Sequence, residues 1–197
     1  DGRIENCELG ILGKVHIENA VAAVAMLWCA AQIEGKPFDK ATVRKALCEF
    51  EGVKRRMEVY VNTSEQVYID DYAHHAEELR ATITSLRDIF PGRRITAIFQ
   101  PHLYTRTRDF AEEFSEVLSL TDRVIMVPIY PARELPIEGV NSELIGRNLS
   151  VEWELVERDN IASRLEAMET DVVVTFGAGN IDVVCGDIAR VLRAKVK

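Results

Sequence analysis

From residue 57 onward, short apolar runs alternate with segments in which apolar residues recur every three or four positions. The first pattern indicates buried strands and the second indicates amphipathic helices. The predicted strands cover residues 57–61, 66–70, 95–100, 124–130, 153–156 and 171–176. The predicted helices cover residues 76–90, 110–118, 142–148 and 161–168, followed by a closing helix through Leu192. This alternation predicts an α/β fold with a mostly parallel sheet.

The first 53 residues show a different pattern, with two predicted helices and no sheet of their own. The helix predicted over residues 17–33 is apolar nearly all round, which is typical of a helix buried on most of its sides. A second helix is predicted after Asp39, whose side chain makes a good N-cap. We expect this pair to pack on residues outside the chain or on the domain that follows. The chain therefore divides into a helical unit, residues 1–53, and an α/β unit, residues 54–197.

Composition and charge exclude several classes of function. The chain of 197 residues is 47% hydrophobic and 28% charged, which is ordinary for a globular protein. A formal net charge of −8 argues against a nucleic-acid-binding or membrane-surface protein, because either would present a basic face. The apolar run 20–31 is about half a membrane span and predicts a buried helix. No signal peptide is recognised, and a first residue of Asp1 is consistent with a fragment of a longer protein.

The four cysteines are expected to be buried, reduced thiols. Cys7, Cys29, Cys48 and Cys185 lack metal-ligand spacing, and their flanking residues are typical of helices or core. Reduced thiols are typical of proteins in the cytoplasm. We therefore expect a cytoplasmic protein.

Four polar segments follow predicted strands directly, at residues 71–75, 102–106, 130–134 and 177–180. Right-handed crossovers place the C-terminal ends of parallel strands on one edge of a sheet. Open α/β sheets bind their ligands at that edge. We therefore expect the four segments to share the functional edge of the sheet.

Asp71, Tyr72 and His74 combine three kinds of chemistry after the second predicted strand. A carboxylate can accept hydrogen bonds from a ribose diol or hold a cation, a phenol ring offers a flat face to a base, and an imidazole can orient or neutralise a carboxylate. The alternative is that Asp71 caps the following helix and that the histidines are solvated in its first turn. The residues alone leave both interpretations open.

Arg106 and Arg108 lie together with His102 in the segment after the third predicted strand. Guanidinium groups carry planar donor forks that suit a carboxylate or a phosphate. For Arg108 the preferred interpretation is a solvated position on the first turn of a helix. Arg106 and His102 are interpreted as functional.

Two further segments have both a functional and a structural interpretation. Residues 177–180 precede the last helix and offer a weak phosphate-loop signal, although paired glycines here more often allow a strand and a helix to pack closely. The basic triplet 54–56 is either a solvated face or a contact to nucleotide phosphate or ribose. The sequence contains no Gly-Lys-Ser/Thr motif of a P-loop and no cluster with convincing zinc spacing.

Five segments occur in an order that is specific when they are taken together: GVKRRME (52–58), DDYAHH (70–75), QPHLYTRTR (100–108), YPARE (130–134) and GAGN (177–180). They resemble the C-terminal part of the Mur ligases of bacterial peptidoglycan synthesis, and among these the group that joins L-alanine to UDP-N-acetylmuramate. Residues 13–23 are similar to the helix near the end of the family's central ATPase domain. The resemblance covers most of the chain.

The resemblance implies a Rossmann-like α/β domain, residues 54–197, with a mostly parallel sheet and helices on both faces. A helical remnant of the central ATP-binding domain, residues 1–53, would precede it. The implied reaction is ATP-dependent: ATP phosphorylates the lactyl carboxylate of UDP-N-acetylmuramate, the amine of L-alanine attacks the acyl phosphate, and phosphate leaves. The P-loop and the Mg²⁺ ligands would lie outside this chain, so the fragment alone is expected to be inactive.

The resemblance also assigns roles to matching positions. The implied ATP-binding residues are Asn19 at the adenine, Arg56 at the ATP, Asp71 at the ribose and Tyr72 in the nucleotide region. The implied L-alanine-binding residues are His74 and Arg106 at the carboxylate, with His102 close by. No catalytic residue and no metal ligand is assigned within the chain.

Two departures from the family pattern affect these assignments. The family often has His-Asn-X-X-Asn where this chain has residues 15–19, so only Asn19 is carried over. Leu103 stands where some members have a second carboxylate-binding arginine, which gives Arg106 a larger share of that role. Two alternatives stay open: a murein peptide ligase of the same family, which joins a tripeptide to the same sugar nucleotide, and a non-catalytic Rossmann-like nucleotide-binding module.

Overall fold

A computed structural model describes residues 3–196. The chain forms two compact units that divide between Val53 and Lys54. The first unit contains helices α1 (Lys14–Glu34) and α2 (Lys40–Glu49). As predicted, Asp39 is the N-cap of α2, and its carboxylate accepts hydrogen bonds from the backbone N–H groups of Ala41 and Thr42 at 3.1 and 3.2 Å.

The prediction that the first helix is buried on most sides is wrong for this structure. Ala31 is the only buried residue of α1, and Val21, Met26 and Ile33 are 66%, 73% and 86% exposed. The physical reason is that the first unit offers one short helix and irregular segments, which cannot cover a helix of 21 residues that is apolar all round. By length and composition α1 could cross a membrane, but a single such helix is weak evidence.

The cysteine prediction is wrong in the first unit and confirmed in the second. All four cysteines are free, but Cys7, Cys29 and Cys48 are exposed and only Cys185 is buried. The three exposed thiols lie in the unit that lacks a sheet, so they have little core in which to be buried.

The second unit contains a six-stranded sheet with the strand order β1-β2-β6-β3-β4-β5. The strands are β1 (Glu58–Asn62), β2 (Val67–Asp71), β3 (Ile95–Phe99), β4 (Arg123–Met126), β5 (Glu152–Leu155) and β6 (Val172–Phe176). The helices are α3 (Ala76–Ile89), α4 (Tyr104–Asp109), α5 (Ala111–Leu118), α6 (Glu143–Gly146), α7 (Ile161–Glu166) and α8 (Cys185–Ala194). Only β1 pairs antiparallel, which confirms a mostly parallel sheet.

Helices cover both faces of the sheet, as expected for this fold class. Tyr68, Ile98 and Val173 share a buried cluster with residues of α7 and α8. Neighbouring positions along each strand point to the opposite face, where the Phe99 ring lies 5.1 Å from the ring of Phe114 in α5. The strands β2, β3 and β6 are buried at every position because they lie between these two helical layers.

Several predicted elements differ in their bounds from the structure. The helices predicted over residues 142–148 and 161–168 are the shorter α6 and α7, and two further differences concern β4 and α5. The strand predicted over residues 124–130 ends at Met126, because Pro128 has no N–H group with which to continue the ladder. The helix predicted over residues 110–118 corresponds to α5, which is preceded by the separate short helix α4 with a break at Phe110. This break leaves α4 as an independent corner after β3.

Candidate functional site

The ends of three strands lie level with one another in the middle of the sheet. Asp71 at the end of β2 and Phe99 at the end of β3 both pair with Phe176 at the end of β6. The segments that begin at Tyr72, Gln100 and Gly177 therefore leave the same edge side by side. This confirms for three of the four polar segments that they share one edge, the usual position of a ligand site in an open α/β sheet.

A strained residue turns the chain after β3 into α4. Leu103 has φ of +73°, which is unfavourable for a residue with a side chain and is held here by neighbouring contacts. Its N–H donates to the Tyr130 carbonyl at 3.0 Å, and the Tyr130 N–H donates to the Pro101 carbonyl at 2.8 Å. Glu134 accepts hydrogen bonds from the N–H and the hydroxyl of Thr105. The segments after β3 and β4 are thus tied together around His102.

Three of the predicted substrate-binding residues form one group at this edge. The His74 and His102 rings lie 6.0 Å apart at a steep angle of 70°, and the charge of Arg106 acts on both. The Tyr130 ring stacks on His102 at 5.8 Å and 22°. The structure therefore brings His74, His102 and Arg106 together.

Arg106 has a buried guanidinium nitrogen at this edge. Among residues 3–196 its Nη1 atom has no hydrogen-bond partner, and neither has Nδ1 of His102. A buried charged donor without a partner is costly, so such a position favours a bound anion. By contrast, Arg108 is exposed and paired with Asp109 at 2.7 Å, in agreement with its solvated interpretation.

Both imidazoles beside Arg106 are held in the neutral form. Burial lowers the pKa of His74, and Arg106 and His75 act in the same direction. Burial likewise lowers the pKa of His102, again helped by Arg106 and by His74. The net positive charge of the group at neutral pH therefore comes from the guanidinium.

Glu78 fixes the start of α3 and contacts both neighbouring histidines. His75 is the N-cap residue, and its ring together with Glu78 forms a capping box. The Glu78 carboxylate accepts the backbone N–H groups of His74 and His75 at 2.9 and 3.2 Å. These bonds lower the pKa of Glu78 although its partial burial opposes this shift. Asp71 does not cap α3, so the structural alternative considered for it is wrong.

Asp71 instead holds the loop before β1 against the end of β2. Its two carboxylate oxygens accept the backbone N–H groups of Met57 at 2.9 Å and Ala73 at 2.8 Å. The side chain is buried, and burial raises its pKa while these two hydrogen bonds oppose that effect. Any ligand hydroxyl would have to use the remaining acceptor positions of these oxygens.

Tyr72 lies between two arginines that differ in their hydrogen bonds and ion pairs. The guanidinium of Arg55 lies 5.0 Å and that of Arg56 5.6 Å from the centre of the Tyr72 ring. The Arg56 side chain is exposed and makes no hydrogen bond or ion pair within the described residues. It is therefore free to bind a phosphate or another anion.

Arg55 has a role that the sequence analysis missed. Its side chain, 17% exposed, pairs with the fully buried carboxylate of Asp70 at 3.2 Å and donates to the carbonyls of Gly177 at 2.5 Å and Gly179 at 3.3 Å. It therefore joins β2 to the loop after β6. No periodic signal distinguishes Arg55 from Arg56 in the sequence, and the loop that separates their side chains contains positive φ angles at Arg55 (59°) and Met57 (48°).

The glycines after β6 allow close packing. A Cβ atom on Gly179 would lie 2.5 Å from Oε1 of Gln100 and 2.6 Å from Cβ of Tyr130. The carbonyls of this loop are occupied by Arg55, which supports the packing interpretation over a phosphate loop. A cavity of about 300 Å³ lies beside Gln100, Tyr130 and Asn180, on the side of β4 and β5.

Asn19 is exposed on α1, in the first unit, and nothing in the structure tests its predicted contact with adenine. Among the described residues, one group of side chains has metal-ligand proximity: His74, His75 and Glu78 have donor atoms within 4.8 Å of one another. Two imidazoles and one carboxylate do not match Mg²⁺, which prefers oxygen ligands. This set therefore does not fit the metal that the family resemblance implies.

The chain is similar in sequence to a known protein family and to longer curated proteins. Residues 55–179 match the family described as Mur ligase, glutamate ligase domain. UDP-N-acetylmuramate–L-alanine ligase from Parabacteroides distasonis is 42% identical over 196 residues, which are 99% of this chain and 41% of the relative. The chain thus spans about two-fifths of the length of the curated relatives that it matches.

Two solved structures share the fold over nearly the whole chain. The UDP-N-acetylmuramate–alanine ligase from Thermotoga maritima has a TM-score of 0.75 and 26% identity, covering 96% of this chain and 40% of that one. A murein peptide ligase from Psychrobacter arcticus has a TM-score of 0.60 and 19% identity, covering 97% and 39%. The second likeness shows the fold alone. The match over more than half of the sequence, with the level strand ends and the grouped motif residues, establishes that the chain belongs to the Mur ligase family.

Proposed function

We propose that this chain is the C-terminal part of an ATP-dependent ligase that joins L-alanine to the lactyl carboxylate of UDP-N-acetylmuramate in the cytoplasm. The supporting relatives are longer, so the complete reaction belongs to a longer protein than the residues described. An acyl phosphate is the intermediate, and the amine of L-alanine displaces phosphate to form the amide. This part of the protein positions the amino acid and closes over ATP, which is catalysis by positioning and charge stabilisation.

The observation that carries the proposal is the unpartnered guanidinium of Arg106 at the functional edge. Its Nη1 atom is buried without a partner among the described residues, between two imidazoles that are neutral at pH 7. An amino-acid carboxylate would supply the missing anion and accept a charge-assisted hydrogen bond. We assign this carboxylate to Arg106 with help from His102.

The nucleotide would lie beside the Tyr72 ring. Arg56 is exposed and free of ion pairs within the described chain, so it suits the ATP phosphates, and the ring of Tyr72 offers a flat face nearby. Asp71 would accept the ribose hydroxyls with the acceptor positions left by Met57 and Ala73. Asn19 is proposed at the adenine on family resemblance alone. Mg²⁺, which ATP chemistry requires in this family, is assigned to ligands outside the described residues.

The test compares two arginines of α4 in the full-length protein. Arg106→Ala should raise the KM for L-alanine about 10- to 100-fold, because a charge-assisted hydrogen bond contributes about 1.5–3 kcal/mol. The KM for ATP should change little. Arg108→Ala is the matched control and should leave both constants unchanged, since Arg108 is exposed and paired with Asp109.

Turnover is measured as phosphate released in the presence of UDP-N-acetylmuramate with L-alanine or with a tripeptide. Turnover with the tripeptide but not with L-alanine would assign the murein peptide ligase activity instead. Nucleotide binding without turnover on either substrate would indicate the non-catalytic module. Equal increases in both KM values for Arg106→Ala would contradict the carboxylate role.

A further inference from the structure

The proposed reaction requires a proton acceptor, and His74 has the geometry of one. An α-amino group at neutral pH is mostly an ammonium ion and has no lone pair with which to attack a carbonyl carbon. A general base must therefore be positioned beside the amine. This inference rests on the proposed function and assigns one further residue to it.

The protonation of the His74 ring follows from its two neighbours. Nδ1 lies 3.0 Å from the carbonyl oxygen of Tyr72 and 3.4 Å from Oε2 of Glu78. Both neighbours can only accept hydrogen bonds, so Nδ1 must carry the proton. In the neutral ring the other nitrogen, Nε2, then carries a lone pair. A neutral His74 in this tautomer cannot donate a hydrogen bond to a carboxylate through Nε2, but it can accept a proton there.

Glu78 makes this arrangement resemble a base with an orienting carboxylate. The Glu78 carboxylate is itself fixed by the N–H groups of His74 and His75, so it stays beside the imidazole. It would stabilise the imidazolium that forms when Nε2 takes a proton. The ring is not sealed off, because 18% of the His74 side chain is exposed.

The charged and titratable groups around His74 come from three segments. Glu78 and His75 belong to the start of α3, His102 to the segment after β3, and Arg106 to α4. Burial, His75 and Arg106 favour the neutral ring, while the Tyr72 carbonyl and Glu78 favour the protonated ring. The His74 ring is therefore neutral at rest. The Glu78 carboxylate lies beside it and can stabilise the positive charge of the imidazolium.

We infer that His74 is the general base that deprotonates the incoming α-ammonium group through Nε2. An N–H bond of the ammonium breaks, its electron pair stays on nitrogen, and the proton moves to Nε2. The free amine then attacks the carbonyl carbon of the acyl phosphate and forms the C–N bond. The C–O bond to phosphate breaks with its electron pair leaving on phosphate, and the second N–H proton of the former ammonium passes to this phosphate, which leaves as hydrogen phosphate and gives a neutral amide. Arg106 holds the carboxylate of the same amino acid, so the two residues act on opposite charges of one substrate.

The experiment follows the pH dependence of turnover in the full-length enzyme with L-alanine. His74→Gln should lower kcat about 100-fold or more near neutral pH, the usual size of a general-base contribution. The deficit should shrink as the pH rises toward the pKa of the amine, because free amine then forms without a catalyst. Arg106→Ala should instead raise the KM for L-alanine, and this increase should persist as the pH rises toward the pKa of the amine.

A second variant and a spectroscopic measurement cover the case in which His74→Gln does not fold. Glu78→Gln should move the acidic limb of the pH profile to lower pH, because the protonated ring loses its stabilising carboxylate. In long-range ¹H–¹⁵N spectra of the unmodified protein, His74 should show a protonated Nδ1 and an unprotonated Nε2 at neutral pH.

The outcomes separate this inference from the proposed function. A His74→Gln deficit that is constant with pH and confined to KM would overturn it in favour of a carboxylate ligand. A protonated Nε2 at neutral pH would overturn it whatever the activity. Absence of any turnover by the unmodified enzyme with L-alanine would refute the proposed function, while the spectra would still decide the tautomer.

Discussion

Gly179 is the residue on which the closest packing beside the candidate site depends. Its Cα lies against Gln100 and Tyr130, and Tyr130 in turn stacks on His102. A methyl group at this position would meet both neighbours at 2.5–2.6 Å, well inside contact distance. Close packing at Gly179 therefore bears on the orientation of the His102 ring through Tyr130.

We expect Gly179→Ala to lower the free energy of unfolding by about 1–3 kcal/mol, the usual cost of overpacking. Gly186→Ala is the matched control: Gly186 lies in α8 with nothing within 4 Å of a new Cβ, so alanine should be neutral or stabilising by up to about 1 kcal/mol. Urea denaturation of both variants measures the difference. Equal stability of the two would show that the close approach at Gly179 is relieved without cost.

The lowered pKa values of His74 and His102 predict how stability depends on pH. A group that is harder to protonate in the folded state stabilises the fold above its unfolded pKa of about 6.5, and this contribution is lost as the pH falls through the folded values. Thermal unfolding should therefore occur at a lower temperature at about pH 5.5 than at about pH 7.5.

A variant with both His74 and His102 replaced by glutamine should show a smaller change between the two pH values. Asp70 and Asp71, whose pKa values burial raises above the ordinary 3.8, act with the opposite sign. An unchanged pH dependence in the double variant would contradict the assignment to the two histidines.

At the scale of elements, the site depends on the order of the strands. Strand β6 inserts between β2 and β3, so the corners that begin at Tyr72 and Gln100 flank the one that begins at Gly177. The ion pair of Arg55 with Asp70 and the bonds of Arg55 to the Gly177 and Gly179 carbonyls then join β2 to the loop after β6. Removing the Arg55 side chain would therefore affect both the predicted ATP-binding residues and the predicted L-alanine-binding residues.

Hydrogen exchange should rank the strands by their place in the sheet. The amides of β2, β3 and β6 should exchange most slowly, because every residue of these strands is buried and they open only with the whole unit. The edge strands β1 and β5, which contain exposed residues, should exchange faster. Mass spectrometry of peptides from each strand measures this order, and faster exchange in β6 than in β5 would contradict it.

At the scale of the whole molecule, the two units differ in how completely they bury their apolar residues. The second unit has a continuous core on both faces of the sheet. The first unit exposes Val21, Met26 and Ile33 on α1, and a groove of about 620 Å³ runs along that helix. Exposed apolar surface of this kind favours association.

We therefore expect the chain by itself to self-associate through the first unit. Replacing Val21 and Met26 together by lysine should shift its sedimentation toward the monomer, with little change in the stability of the second unit. Gln32→Lys, which adds a charge at an exposed polar position of the same helix, is the control. Equal association of all three proteins would contradict a role for the apolar face of α1.

Much of the fold could be predicted because local patterns determine it. The strands ending at Asp71, Phe99 and Phe176 lie within one or two residues of their predicted ends, since buried parallel strands are continuous apolar runs bounded by polar residues. The grouping of His74, His102 and Arg106 also followed from strand ends on one edge. The burial of α1 could not be predicted, because it depends on residues that pack against the helix and not on the helix itself.

What the sequence determined by itself is the alternation of strands and helices, the edge on which the polar motifs lie, and the family to which those motifs point. Only the tertiary structure decided how neighbouring residues divide their roles. Arg55 is paired with Asp70, whereas Arg56 makes no ion pair with the described residues, and His74 carries its proton on Nδ1 because Tyr72 and Glu78 offer only acceptors to it. The physical reason is that periodicity is a local property, whereas hydrogen-bond partners and charge compensation come from residues brought together by the fold.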